Sequence, residues 1–375
     1  MNVPPRLASL DALRGLAIAS MVLVNNPGDW NHLYAPLAHA RWDGWTFTDI
    51  VFPLFLFAAG VAMTLSLGRR AREGASRAGL LAGASRRAAV IFFVGLALNF
   101  VPAFDPAIVR IPGVLQRIAL CIAIAAPIVI WGGWRATLTT IAFLLVIYSV
   151  LLLLVPVQGA DGVMAAGRLE PGNDFGAWLD RLVFGPHLWS QSRTWDPEGL
   201  VSTLPATASL LFGVLAGFDL ARNGQHAPRL ALAGAAFLVA GLAMDAFFLP
   251  INKNLWTPSY TVFMTGWSLL ALALFHALLD ESRPPLRDCA RAACLPLIFF
   301  GMNALFLFAF SGLVARLLGT FAMGDGRTLK AFLYTPLRAM PLSPEGASLA
   351  FAVVFECVMF FVAWLMWKKR WFVKA

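Results

Sequence analysis

Apolar residues fall along the chain in long runs that carry few charges, separated by shorter stretches rich in Arg, Pro and Gly. Each run approaches the ~20 residues that a helix needs to cross ~30 Å of hydrocarbon. By that length the pattern predicts about ten spans: roughly Leu7–Asn25, Trp45–Leu67, Arg87–Val101, Gly113–Trp131, Ala136–Val157, Leu200–Leu220, Leu230–Leu249, Ser259–Leu279, Ala293–Leu317 and Ala347–Trp367. Hydrocarbon offers no water to unpaired backbone groups, so the spans are expected to be helices. The expected fold class is all-α, a polytopic integral membrane helical bundle of about ten transmembrane helices, in a single domain over 1–375.

The loops between the runs carry the orientation signal, because cytoplasmic loops hold an excess of Lys and Arg. With the N-terminus inside, most of the 29 basic residues fall on the cytoplasmic side, including Arg69, Arg70, Arg72, Arg77, Arg86 and Arg87 in one short loop. An even number of spans returns Lys368, Lys369, Arg370 and Lys374 to that side, so both termini are expected to be cytoplasmic. The longest loop, about 158–199, falls outside, is mixed in charge and carries Trp178, Trp189 and Trp195. It reads as an ordered external cap. A second external loop, about Phe321–Pro344, is where a homodimer contact would fit.

Composition agrees with the pattern: 59% of residues are hydrophobic, 13% are charged, and the mean hydropathy is +0.73. The net charge of +9 is dispersed over short loops in the manner that sets topology, which argues against nucleic acid as a partner and for the lipid bilayer. Arg6 followed by the apolar stretch Leu16–Val24 resembles a signal peptide, but Asp11 and Arg14 interrupt it and no clean cleavage site follows. It is expected to stay as the first span. Cys121, Cys289, Cys294 and Cys357 fall in spans or near the cytoplasmic face, which argues against a disulfide framework and against a clustered metal site. The compact length suggests a bacterial inner (plasma) membrane.

Polar residues that membranes tolerate poorly crowd one side of this map. Asn25 ends the first span, His39 and Asp49 flank the start of the second, and Arg110, Gln116 and Arg117 open the fourth. Thr194, Asp196 and Glu198 lead into the sixth, Asn252, Lys253 and Asn254 join the seventh to the eighth, and Asn303 lies within the ninth. The map places a polar chamber in the outer half of the membrane. Each residue also has a plainer account. His39 can sit at the headgroup level, Arg110 and Arg117 can snorkel outward as anchors, and Glu198 and Lys253 can pair to lock two loops. Trp30, Trp42, Trp45, Trp189, Trp195 and Trp256 read mostly as interfacial-belt residues. Asp49 is harder to dismiss, because a carboxylate a turn inside a span costs about 2.5–3.5 kcal/mol at depth without a partner. Of the histidines, His226 and His276 fall on the cytoplasmic side and His187 in the cap, so His32 and His39 alone compete by position.

The stretches SLDALRGLAIASMVLVNN, HARWDGWTFTDIVFPLFLFAAG, RIPGVLQRIAL, TWDPEGLVSTLPA, PINKNLWTPSYTVF and GMNAL carry a family resemblance from Ser9 to about Leu305. The chain resembles the heparan-alpha-glucosaminide N-acetyltransferase family of lysosomal transmembrane enzymes and their bacterial homologues. The resemblance implies that His39 is the catalytic histidine, that Asn25 is its companion and that Asp49 holds the acidic position of the same motif. It also implies a reaction in which cytosolic acetyl-CoA acetylates the amine of a terminal glucosamine across the membrane. The long N-terminal luminal domain of the lysosomal enzymes has no counterpart in this sequence, which bears on the acceptor more than on the chemistry.

That chemistry has a physical outline. An amine attacks a thioester only as the free base, and histidine is the side chain that titrates near neutrality. Asp49 would fix the His39 tautomer, and Asn25 would donate to the thioester oxygen as charge develops there. His39 serves as general base in direct transfer or as acetyl carrier in double displacement. Glu198, Asn252, Lys253 and Asn303 are candidates for binding the sugar. Arg110, Arg117 and Arg14 are candidates for the acetyl-CoA phosphates, since no Gly-rich phosphate loop is present. Two other classes compete: a proton-coupled amino-sugar transporter using His39 and Asp49, and a membrane O-acyltransferase. The first needs no acetyl donor, and the second makes an alkali-labile ester.

Overall fold

The computed structural model describes residues 7–102, 104–222, 225–324 and 326–373; Arg6 and Lys374 lie outside the described residues. Among the described residues fourteen α-helices follow one another. The first six are α1 (Ala8–Asn25), α2 (Phe47–Met63), α3 (Arg69–Arg72), α4 (Arg77–Phe100), α5 (Val114–Trp131) and α6 (Trp134–Leu154). A two-stranded hairpin, β1 (Val157–Gln158) with β2 (Met164–Ala165), and the short α7 (Phe175–Phe184) come next. The rest are α8 (Thr203–Leu220), α9 (Ala227–Phe247), α10 (Pro258–His276), α11 (Pro284–Met302), α12 (Ala304–Thr320), α13 (Leu329–Arg338) and α14 (Pro344–Lys368). Among the described residues, nine helices are long and apolar enough to span a membrane, and the bent pair α11 and α12 makes a tenth span if counted as one.

The polytopic bundle inferred from the apolar runs is the fold observed. α2 and α8 are its most enclosed spans, whereas α4, α6 and α9 bury only a narrow stripe and turn their apolar sides outward. In lipid the burial of apolar surface drives helices together only weakly, so close approach through small residues matters more. Gly60 and Gly213 supply it between α2 and α8. A methyl group on Gly60 would stand 1.9 Å from the Leu210 carbonyl oxygen, and one on Gly213 would stand 2.0 Å from that of Phe57. Thr64 Oγ1, one turn beyond Gly60, donates across the same seam to the Val214 carbonyl at 3.0 Å.

Local chemistry starts the helices. The Asp280 carboxylate accepts from the Ala8 and Ser9 amides at 3.2 Å each, giving the N-terminus of α1 the anion it favours. α2 opens on a capping box in which Asp49, three residues past the N-cap Thr46, accepts from the Thr46 amide at 3.0 Å. His226 and His276 do lie at the Ser9 end of α1, where they meet Asp219 and Asp280, far along the bundle from His39.

Two spans depart from expectation. α4 begins at Arg77, ten residues before the expected Arg87, so Arg77, Arg86 and Arg87 lie in a helix and not in a loop. The other span is broken. The run Ala293–Leu317 is not a single helix: α11 and α12 meet at 74° around Asn303. The Asn303 side chain donates to the Trp371 carbonyl at 3.0 Å and accepts from the Val373 amide at 2.9 Å, so it serves the segment after α14. α11 begins at Pro284, before the apolar run, and its first turns carry Arg287, Asp288 and Arg291.

The segment 158–199 is tied together by hydrogen bonds. Arg181 donates to the carbonyls of Gly172, Thr194 and Gln158, and Trp42 Nε1 reaches in from the loop before α2 to the Leu169 carbonyl at 2.9 Å. Asp180, on α7, accepts from the Leu200 amide at 2.8 Å. Burial pushes its carboxyl up to about 7, and the charges of Asp196 and Asp174 push the same way.

Two expectations follow from this packing. Gly213→Leu drives a side chain into the Phe57 backbone, and overpacking of that kind costs about 1–3 kcal/mol; a lower unfolding temperature in detergent is the expected readout. For Asp180, the folded state holds a proton that the unfolded chain releases at about 4, so stability falls as pH rises from there to about 7 and is level above. Asp180→Asn is expected to flatten that slope and to raise the unfolding temperature at pH 8 in scanning fluorimetry.

Candidate active site

The capping box of α2 also builds the centre of the site. Asp49, with a fully buried side chain, accepts from the Ala40 amide at 3.1 Å and from the Thr46 amide at 3.0 Å on Oδ2, leaving Oδ1 for His39. His39 Nδ1 lies 2.7 Å from that oxygen. A carboxylate only accepts, so Nδ1 carries the proton of this contact, and in the neutral ring the lone pair is then on Nε2. Tyr260 fixes the helix behind, its hydroxyl donating to the Asp49 carbonyl at 2.6 Å.

Lys253 approaches from the loop between α9 and α10. Its Nζ is 3.1 Å from both ring nitrogens of His39 and 3.9 Å from Asp49 Oδ1. Equal distances to the two nitrogens place the ammonium beside the ring and out of line with either lone pair. Burial lowers the Lys253 pKa, and the carboxylates of Asp49 and Glu198 oppose that shift.

The loop that presents Lys253 is built rigidly. Asn252 donates to Asp43 Oδ1 at 3.0 Å and accepts from the Leu255 amide at 2.9 Å. Trp256 adopts φ +54°, a left-handed conformation that bulky residues rarely tolerate. It is held there by Nε1 donating to Ser209 Oγ at 3.1 Å, by edge contacts to Phe52 and Tyr260, and by the Arg117 guanidinium 5.1 Å from its ring.

A charge network backs the site. Arg110 pairs with Asp196 and, at 2.5 Å, with Glu198. These carboxylates, Glu198 foremost, raise the Arg110 pKa despite its burial. Burial works to raise the Glu198 pKa, but the charges of Arg110, Arg117 and Lys253 overcome it and hold the carboxyl low.

These residues meet around a cavity of about 120 Å³ whose wall includes Asn25, His39, Thr48, Glu198, Lys253 and Phe308. Asn25, His39, Asp49, Glu198 and Lys253 are thus brought together. The other candidates are not. Asn252 is buried as a loop lock, and Asn303 is spent on Trp371 and Val373. Arg14 lies eleven residues before Asn25 on α1, about 16 Å along the axis. Arg110 is neutralised by two carboxylates, and Arg117 is buried on Ser202, the Gly199 carbonyl and Trp256, so neither is a headgroup anchor. Trp256, at 1% exposure, is no belt residue, whereas Trp30 and Trp45 remain exposed. Glu198 pairs with Arg110, and Lys253 with His39 and Asp49, in place of a Glu198–Lys253 lock. Sequence reasoning missed Thr48 and Phe308, since nothing in a span's apolar pattern marks the side that faces a cavity, and Tyr260, whose partner is a backbone carbonyl on another span.

Residues 6–161 match the family model described as heparan-alpha-glucosaminide N-acetyltransferase, catalytic. Human heparan-alpha-glucosaminide N-acetyltransferase is 27% identical over 340 residues, covering 74% of this chain and 49% of its own. Over these stretches the chain is similar to the heparan-alpha-glucosaminide N-acetyltransferase family. The mouse protein of the same name is 26% identical over 337 residues, covering 73% of this chain and 49% of its own. The chain therefore spans about half the length of the curated relatives it matches. Asn25, His39 and Asp49 fall inside the family-model match, while Glu198 and Lys253 come from beyond it.

Asp49→Ala would strand two backbone amides, the His39 ring and the Lys253 ammonium at once. Removing one partner from a buried charged cluster costs roughly 3–5 kcal/mol. A large fall in unfolding temperature is expected, with Asp49→Asn milder because an amide oxygen can still accept.

Proposed function

We propose that this chain is a transmembrane acetyltransferase that moves acetyl from cytosolic acetyl-CoA to the amine of a glucosamine-type sugar presented from the other side of the membrane. The observation that carries the proposal is the 2.7 Å contact between His39 Nδ1 and Asp49, with His39 facing the cavity that Asn25 and Lys253 share. Similarity to the family supports the acetyl donor and the amine acceptor.

His39 Nε2 takes a proton from the sugar ammonium, and the freed amine attacks the thioester carbonyl carbon. The C–N bond forms, the C–S bond breaks, and the coenzyme thiolate leaves and takes up the second proton that the nitrogen sheds as it becomes an amide. Asp49 holds the ring in the Nδ1–H tautomer and stabilises the imidazolium that forms. The Asn25 side-chain amide donates to the carbonyl oxygen as it becomes anionic. Glu198, with one carboxylate oxygen on Arg110, favours a cationic amine in the cavity, and Lys253 keeps the local charge balanced. A second route uses the same atoms with Nε2 as nucleophile, forming an acetyl-imidazole that the amine then resolves.

The test is transfer of radiolabelled acetyl from acetyl-CoA to glucosamine by the purified protein in detergent. Label in N-acetylglucosamine is expected with wild type and none with His39→Ala. Asn25→Ala is expected to lower kcat by about 10²–10³, the usual cost of one oxyanion donor. Absence of both transfer and acetyl-CoA binding overturns the proposal; parallel against intersecting initial-rate lines separates the two routes.

A further inference from the structure

A second and larger cavity, of about 410 Å³, adjoins the one at His39, and Asn25 and Phe308 belong to the walls of both. It lies between the Asn25 end of α1, α12, α13 and α14, and Gly312 and Gly319 of α12 leave room along one wall. Two cations line it, Arg316 and Lys330. Arg316 donates to the Gly312 carbonyl of its own helix and to Asn99 Oδ1, both at 3.2 Å. Lys330 lies 5.8 Å from the centre of the Phe351 ring. Among the described residues neither forms an ion pair with a carboxylate.

Arg110 and Lys253, the charged neighbours of the His39 cavity, differ in this respect. Arg110 has Asp196 and Glu198, and Lys253 has Asp49. Burial lowers the Lys330 pKa, and Asp29 opposes this only from a distance, being hydrogen-bonded itself to His32 at 2.8 Å. Two partly buried, uncompensated positive charges facing one cavity form a site that gains from an anion. Through Asn25 and Phe308 the cavity shares its wall with the one that His39 lines.

We propose that this cavity is an acceptor subsite in which Arg316 and Lys330 bind an oxyanion carried by the amino sugar, while the amine is presented to His39 past Asn25. The oxyanion is a substituent of the sugar itself or the phosphate that joins the sugar to a lipid. The assignment rests on the acetyltransferase reading, so its test includes a measurement that needs no acetyl transfer.

Three acceptors are compared: glucosamine, glucosamine 6-phosphate, and glucosamine 1-phosphate esterified to a dodecyl chain. A phosphorylated acceptor is expected to exceed glucosamine in kcat/KM by roughly tenfold to a hundredfold, as one or two charge-assisted hydrogen bonds would give. Arg316→Gln and Lys330→Gln are each expected to shrink that ratio toward one. Lys330 lies outside the spans, so its variant guards against a folding defect in the other. Preference for the dodecyl ester assigns the lipid source, and preference for the 6-phosphate assigns the sugar substituent. Equal use of all three acceptors overturns the assignment. So does a raised KM for acetyl-CoA with the acceptor ratio intact, which would give the cavity to the donor. Calorimetry of the same sugars without acetyl-CoA separates the two readings: tighter binding of a phosphorylated sugar by wild type alone supports the subsite even if no acetyl is transferred.

Discussion

The buried carboxylate of Asp49 is the interaction on which the rest of the site depends. One oxygen closes the first turn of α2 and tethers the Ala40 amide, so the loop carrying His39 is fixed to the helix by the same group that orients the ring. The other oxygen takes the Nδ1 proton and draws in Lys253. Helix capping and tautomer selection are normally separate tasks. Here they share one side chain, and the geometry of the histidine follows from where the helix begins.

A carboxylate in that position demands compensation, and the bundle supplies it from distant parts of the chain. Lys253 neutralises it directly, and Glu198 answers Lys253 from across the cavity. Arg110 answers Glu198 and Asp196, and Arg117 lies behind, stacked on Trp256 with two guanidinium nitrogens unpaired. The alternation of charge lets several ionised groups share a poorly solvated space at modest cost. Trp256, strained at positive φ and packed on three sides, holds the Lys253 loop in register. Strain of this kind persists only where its surroundings over-determine it.

Packing in the spans serves the same end. Gly60 and Gly213 let α2 and α8 touch backbone to backbone, which seats the Asp49 end of α2 beside the Glu198 segment that leads into α8. The break at Asn303 redirects α12 so that Phe308 joins the wall near Asn25, where it lines both the smaller cavity and the cationic one.

Nine of the ten spans were legible from apolar length, because lipid imposes one requirement on every spanning segment. The His39–Asp49 relation was legible too, since the two residues are close in sequence and share a motif with a helix start. What the sequence could not settle was which polar residues at the same end of the bundle face the cavity and which face each other. Asn252 and Lys253 are neighbours in the chain, yet one locks a loop and the other touches His39. Arg110 and Arg117 read alike as basic residues at a span's start, yet both are consumed by internal partners. Asn303 sat in an apolar run and became a hinge, because its hydrogen-bond partners come from the segment after α14. The sequence by itself determined the spans and the local histidine–carboxylate pair, which depend on composition and near neighbours. Tertiary structure alone decided the partners of each buried charge, because those come from residues dozens to hundreds of positions away.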